Sequence, residues 1–215
     1  MAGAQIVNIP DANFKAKLLQ INPVNPIAKD INGNWINIDS NGDGNIQISE
    51  ALSVYKLYVN QSSISNLQGI ESFTNLKELE CNSNSLTSLN VSALQNLLKL
   101  SAGSNDLTTV NISGLTNLEE VLLYANQLSE INTTGCTNLK DLSCYNNNIT
   151  TLNLDNSILI KRLGLTTNAL ITLDVSNLPN LEVLYAGDNP NLTMAYLKNG
   201  ANENNIETFY NCPNL

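Results

Sequence analysis

A 21-residue period runs through this chain and limits what it can fold into. Leu76, Leu97, Leu118, Leu139, Ile160 and Leu181 recur at that interval, as do Leu79, Leu100, Val121, Leu142, Leu163 and Leu184. Asn84, Asn105, Asn126, Asn147, Asn168 and Asn189 keep the same spacing. A single repeat cannot bury its own apolar side. Stacked as coils, the repeats place equivalent leucines ~4.8 Å apart and form one continuous core. The Leu-x-x-Leu-x-Leu segment reads as a short strand that alternates sides. Leu79 and Cys81 then point inward, and Glu78, Glu80 and Asn82 point outward. A second apolar set, Leu86, Leu89, Val91 and Leu94, lines the return leg. So many inward positions leave little room for a long helix, and short extended or 3-10 segments are expected there. A weaker first coil runs from Val54 to Asn75, with Ser62 where the Asn belongs.

The Asn sits where the chain turns off each strand. Its amide both donates and accepts, so a stacked row can satisfy backbone groups that the turn would otherwise bury unpaired.

Written out, Leu76 to Asn96 is LKELECNSNSLTSLNVSALQN. The pattern resembles the leucine-rich repeat superfamily, and the form LxxLxCxxNxLTxLNVS is similar to internalin J-type repeats of secreted bacterial proteins. The match covers about residues 54–192. The resemblance implies an α/β leucine-rich repeat solenoid, mostly β: a right-handed superhelix with a parallel concave sheet and a small α-helical N-terminal cap. It also implies that the strand face binds. Those relatives carry Cys at the sixth repeat position; here only Cys81 and Cys144 do. On this reading residues 1–53 are the cap and residues 54–215 the solenoid.

Two places leave register. Ser157, Ile158 and Leu159 replace the usual Leu-x-Asn. After Leu192, MAYLKNGANENN reads as an insertion that delays the next coil until Leu215. Asn211-Cys212-Pro213-Asn214-Leu215 then matches Asn177-Leu178-Pro179-Asn180-Leu181. The chain is therefore expected to stop on the first Leu of a new coil, truncated at its C-terminal end.

The cap opens with a helix expected after Asp11, presenting Phe14, Leu18 and Leu19. A polar stretch with Pro23 and Pro26 follows, then Asp39-Ser40-Asn41-Gly42-Asp43-Gly44-Asn45-Ile46-Gln47-Ile48-Ser49-Glu50. This is an EF-hand-type loop. Calcium needs oxygens at positions 1, 3, 5, 7, 9 and 12. Asp39, Asn41 and Asp43 offer side-chain oxygens, Asn45 its carbonyl, Gln47 an oxygen directly or through water, and Glu50 a bidentate carboxylate. Gly44 supplies the sharp turn. The alternative is a polar Asx turn without metal. A lone loop running straight into the first coil suits a structural calcium ion, whereas sensors pair two hands.

The outward face can be read position by position. Lys56, Glu78, Lys99, Glu120, Asp141 and Arg162 share one row, and their signs largely alternate. Such a row neutralises itself across neighbouring strands. Tyr58, Leu122, Tyr124, Tyr145 and Tyr185 fall at the next outward positions and form the candidate partner-binding set. Scattered surface apolar residues are the alternative.

Cys81 and Cys144 hold one inward position three coils apart, roughly 14 Å, which is too far for a bridge. Cys136 and Cys212 are read as sharing a different inward position, so all four are expected to be reduced core thiols. No CxxC spacing for zinc occurs.

Net charge is −9 with ten Lys and Arg, which argues against nucleic acid and anionic membranes. No His is present to serve as base or metal ligand, and no apolar run reaches membrane-spanning length. Ala2-Gly3-Ala4 before Gln5 looks like the end of a trimmed secretory signal, which implies an extracellular or cell-surface location. The leading expectation is a monomeric secreted or surface binding and adhesion module, not an enzyme, with a protein or glycan partner on the concave face. A structural spacer, or a non-catalytic arm of a longer secreted enzyme, is the alternative.

Overall fold

The structure, a computed structural model, describes residues 5–22, 24–154, 156–200 and 206–215. Residues 1–4, which carry the export reading, lie outside the described residues.

The fold is a mostly-β parallel solenoid. Each coil contributes one three-residue strand to a ten-stranded main sheet. Lys56–Tyr58, Glu78–Glu80, Lys99–Ser101, Glu120–Leu122, Asp141–Ser143, Arg162–Gly164, Val183–Tyr185 and Ile206–Thr208 pair in parallel, in sequence order. The register aligns Leu57, Leu79, Leu100, Val121, Leu142, Leu163 and Leu184, and all seven are buried. The return legs hold short extended pieces that pair two by two, such as Ser88–Asn90 with Thr109–Asn111. The first coil instead carries a 3-10 turn at Ile70–Ser72. Between the legs runs a single core of Leu, Ile, Val and Cys81, Cys136 and Cys144. All four cysteines are free. Burial, then the nearby Glu80 carboxylate, pushes the Cys81 thiol up to about 12, and burial does the same to Cys144.

The asparagine row behaves as its chemistry predicts. Each ladder residue follows one held at a φ of 51–58° (Ser83, Ser104, Ala125, Asn146, Thr167 and Asp188), where the chain leaves the strand. The Asn126 amide nitrogen donates to Ala102 O and Leu123 O at 3.0 Å, and its oxygen accepts from Leu107 N at 3.0 Å. Asn105, Asn147, Asn168 and Asn189 repeat this pattern one coil on each time. In the irregular first coil, Asn84 Oδ1 takes both Ser62 N and Ile64 N, which makes good the missing amide. A second, exposed row that the sequence reading missed runs along another edge. Asn96, Asn117, Asn138 and Asn180 each donate to a carbonyl one coil back, and Leu159 interrupts it. The accompanying Ser157 is fully buried but paired, its hydroxyl 2.8 Å from that of Thr133.

The end of the solenoid departs from expectation. There is no long insertion after Leu192. Met194–Tyr196 pairs with Thr172–Asp174 on the return leg, and Ile206–Thr208 continues the main sheet beside Val183–Tyr185. Asn211, at φ 54°, is the counterpart of Asp188, at φ 53°. It follows that Cys212 stands in the asparagine row rather than with Cys136. Its Sγ lies 3.4 Å from Ala186 O, where the amide of the next ladder residue would donate. Leu215 N bonds Cys212 O as Leu192 N bonds Asn189 O. The segment 211–215 therefore repeats 188–192 and not 177–181, and Leu215 is not the first Leu of a new coil.

The cap is built on this same sheet. Ala28–Lys29 and Trp35–Ile36 form a small antiparallel hairpin that joins the first coil, Ala28 opposite Leu57 and Lys29 opposite Lys56. Helix Ala12–Leu18 buries Phe14 and Leu18, with Asp11 as its N-cap accepting from Phe14 N at 2.8 Å. The other Asp11 oxygen accepts from Ser65 N, Ser65 Oγ and Asn66 N, tying helix to solenoid. The N-terminal segment passes close over Gly69, where a Cβ would stand 2.8 Å from Asn8 O.

Burial acts to raise the Asp11 pKa, but the hydrogen bonds from Phe14, Ser65 and Asn66 together outweigh it and hold the carboxyl below its usual range. A carboxyl with a lowered folded-state pKa stabilises above its unfolded value, and that contribution is lost as pH falls through the folded value. Asp11→Ala is therefore expected to cost about 1 kcal/mol at neutral pH and much less in strong acid. Equal losses in denaturant melts at pH 7 and pH 2.5 would refute this role.

Candidate binding face and metal loop

Strand alternation sets the outward face. The charged row pairs as its signs suggest: Lys56–Glu78 at 2.7 Å, Lys99–Glu120 at 3.0 Å and Arg162–Asp141 at 2.5 Å. These are solvated pairs, each of little energetic weight, but they remove most of the net charge from the row.

The five apolar and aromatic candidates do not form one patch. Tyr124 and Tyr145 do come together, with Leu122 two residues before Tyr124 at the end of strand Glu120–Leu122. Tyr124 and Tyr145 hold the same position on adjacent coils and stack with ring centroids 5.1 Å apart and planes within 6°. A glycine makes the arrangement possible, since a Cβ on Gly103 would fall 2.4 Å from the Tyr124 ring. Tyr124 therefore leans over the bare backbone of the preceding coil, Tyr145 lies on Tyr124, and Tyr145 stays 42 % exposed. Tyr185 is 46 % exposed but stands two strands beyond Tyr145, near Tyr210, which leans over Gly187 in the same way.

Tyr58 belongs to a different group. Its ring meets Trp35 of the cap hairpin at 5.8 Å, and its hydroxyl lies 3.4 Å from Glu78 Oε2. Burial first, then the Glu78 and Glu80 carboxylates, push its pKa up to about 12. Lys29 Nζ sits 4.3 Å from the Trp35 centroid. The sequence reading missed Trp35, half-exposed at 50 %. Being the chain's lone Trp was the available signal, but nothing in the local pattern placed it beside Tyr58.

The loop 39–50 folds around its first carboxylate. Asp39 accepts from Gly42 N, Asp43 N and Gly44 N, with Gly42 and Gly44 at φ 72° and 77°. Ile46 is buried, and its carbonyl accepts from Val7 N, while Ile48 N donates to Gln5 O. Glu50 lies in the first turn of helix Ile48–Ala51, its oxygens held by Ser40 N, Ser40 Oγ and Gln47 N. The side chains of Asn41, Asp43 and Gln47 converge: Gln47 Nε2 donates to Asp43 Oδ2 at 2.8 Å, and Asn41 Nδ2 bonds both. The donor set is all oxygen and amide, which suits a hard cation and not a transition metal. Asp39, Asp43 and Glu50 are not gathered into a three-acid cluster, and no group of three or more His, Cys, Asp or Glu that could hold a metal occurs among the described residues. Instead, the Asn41 and Gln47 amides supply positive charge density to Asp43. A cation held here would need the Asn41 and Gln47 amides to turn their oxygens toward it and Glu50 to present a free lone pair.

No protein-family model matches the sequence, and neither does any curated protein. Solved structures do resemble it. The LRR protein LIC12759 of Leptospira interrogans is 25 % identical, with a TM-score of 0.60 over 78 % of this chain. This chain spans 48 % of that protein's length. An internalin C2 from Listeria monocytogenes is 23 % identical, with a TM-score of 0.53 over 97 % of this chain and 98 % of its own. The functional domain of InlJ from Listeria monocytogenes, which includes a cysteine ladder, aligns over 99 % of this chain and 62 % of its own at 19 % identity, with a TM-score of only 0.44. The fold is thus the leucine-rich repeat solenoid. No helix among the described residues is long and apolar enough to cross a membrane.

Proposed function

We propose that this chain is a binding module of a secreted or surface-displayed bacterial protein, and that it docks a protein partner on the outward face of its main sheet. The observation that carries this reading is the stacked Tyr124–Tyr145 pair beside Leu122. Large rings held rigid before binding lose little entropy on contact, and Tyr is enriched at the centres of interfaces. The charged row beside them is already paired, so a partner need not neutralise it. Adhesion is the role that follows for a surface-displayed module, and the loop 39–50 is its structural calcium site.

Against a partner captured from an array of extracellular proteins and glycans, replacing Tyr124 and Tyr145 together by Ser should weaken binding by about 100-fold or more, the loss of one strong anchor. The circular dichroism spectrum should not change. Undiminished binding by the double variant would move the site off this face and favour the spacer reading.

A further inference from the structure

We infer a second recognition element on the same face: a slot across Tyr58, Glu80, Ser101 and Leu122 that takes one Arg or Lys side chain of a protein partner. The inference rests on the reading that this face docks a protein, and adds what that protein must present.

These four residues hold one register position on four consecutive strands, Tyr58 opposite Glu80, Glu80 opposite Ser101 and Ser101 opposite Leu122. From Glu80 to Leu122 they line a depression of about 230 Å³, flanked by Glu78, Lys99 and Glu120. Tyr58, backed by Trp35, holds the same register position one strand nearer the cap, opposite Glu80. Of the three carboxylates there, Glu78 and Glu120 are each paired with a lysine. Glu80 has no such partner among the described residues, and its Oε2 accepts only the Asn60 amide at 3.0 Å. The slot thus has an aromatic end, one carboxylate with spare acceptor capacity, a small polar floor at Ser101 and an aliphatic end at Leu122.

That sequence of chemistries complements a long basic side chain. The cationic head meets Glu80 beside the Tyr58 ring, and the methylene stem, about one strand spacing (~4.8 Å) long, crosses Ser101 toward Leu122. The chain's own Lys29 already places its ammonium on the adjoining Trp35 face, so this corner stabilises a cation. The net charge of −9 steers a basic partner toward the chain. A neutral sugar could use Glu80 as an acceptor but would draw nothing from its uncompensated charge.

The test is an NMR titration of the intact chain with four probes: N-acetyl-arginine amide, N-acetyl-lysine amide, N-acetyl-norleucine amide and maltotriose. The Arg and Lys probes should shift the Glu80, Ser101 and Leu122 amides, and affinity should fall at least threefold between 50 and 500 mM salt. Norleucine and maltotriose should not reproduce these shifts. Glu80→Gln should weaken the Arg probe at least tenfold, and the Tyr124→Ser/Tyr145→Ser variant should bind it normally. No shift by either cationic probe at 50 mM, equal shifts by norleucine or maltotriose, or full binding by Glu80→Gln would each overturn the slot. Failure here with the tyrosine result intact removes the slot alone. Failure of the tyrosine result removes the docking face beneath it.

Discussion

Calcium at a hundred times its dissociation constant is expected to stabilise the N-terminal end of this chain by about 2.7 kcal/mol. The clearest readout is amide exchange. Val7 N and Ile48 N, which bond Ile46 O and Gln5 O across the loop, should exchange about 100-fold more slowly with metal than with chelator. The loop carries Asp39, Asp43 and Glu50 within twelve residues, and without a cation their charges are met by backbone N–H groups, the Ser40 hydroxyl and the Asn41 and Gln47 amides. A hard cation gives all of these oxygens one partner. It also fixes helix Ile48–Ala51, through which the chain enters the first coil. An affinity of ~10⁻⁴–10⁻³ M is the range of extracellular modules. Glu50→Gln should remove most of the gain. Gln can keep Gln47 N on its single oxygen but must give up the Ser40 N–H, so a loss common to calcium and chelator is expected, and the calcium-dependent difference between the two conditions separates metal binding from helix capping. No heat of binding at 10 mM calcium, together with unchanged exchange, would reduce the loop to a polar turn.

Much of this fold was legible because the inward positions recur at one interval, and such a pattern has one good burial solution. Leu79, Leu100 and Leu142 are core residues, and the ladder asparagines are bonded as their amide chemistry requires. The cap hairpin was not legible. Two-residue strands have no period to detect, and Pro23 and Pro26 disguise the segment as a loop. The register beyond Leu192 failed for another reason. Asn-x-Pro-Asn-Leu occurs at 177–181, and nearly the same string occurs at 188–192, so similarity alone could not choose. Cys212 in the asparagine row hid the correct match. The candidate face was legible only as rows. Which rings meet depends on Gly103 and Gly187, whose bare backbones let Tyr124 and Tyr210 lean across a strand. Tyr58 stands apart from the other tyrosines beside Trp35, which comes from a cap element without a sequence signature.

The ladder makes a sharper prediction than the loss of any one asparagine. The strand-exit carbonyls of Cys81, Ala102, Leu123, Cys144 and Leu165 each accept two amides, one from their own coil and one from the next. Ala102 O is held by Asn105 at 3.1 Å and Asn126 at 3.0 Å, and Leu123 O by Asn126 and Asn147. Removing Asn126 alone leaves both carbonyls with one bond, so the only orphaned group is Leu107 N–H. Asn126→Ala should then cost about 1–3 kcal/mol, the range for one buried unsatisfied donor. Asn105→Ala should cost the same through Leu86 N. Removing both leaves Ala102 O with neither amide. The double variant should therefore lose more than the sum of the two, by about 1–2 kcal/mol. Asn84 and Asn147 share no carbonyl, so the same cycle on that pair should be additive within about 0.5 kcal/mol. Denaturant melts of the two cycles decide the matter. Coupling of equal size in both would mean that the asparagines act through general rigidity, and no coupling in either would mean that water replaces the lost amides.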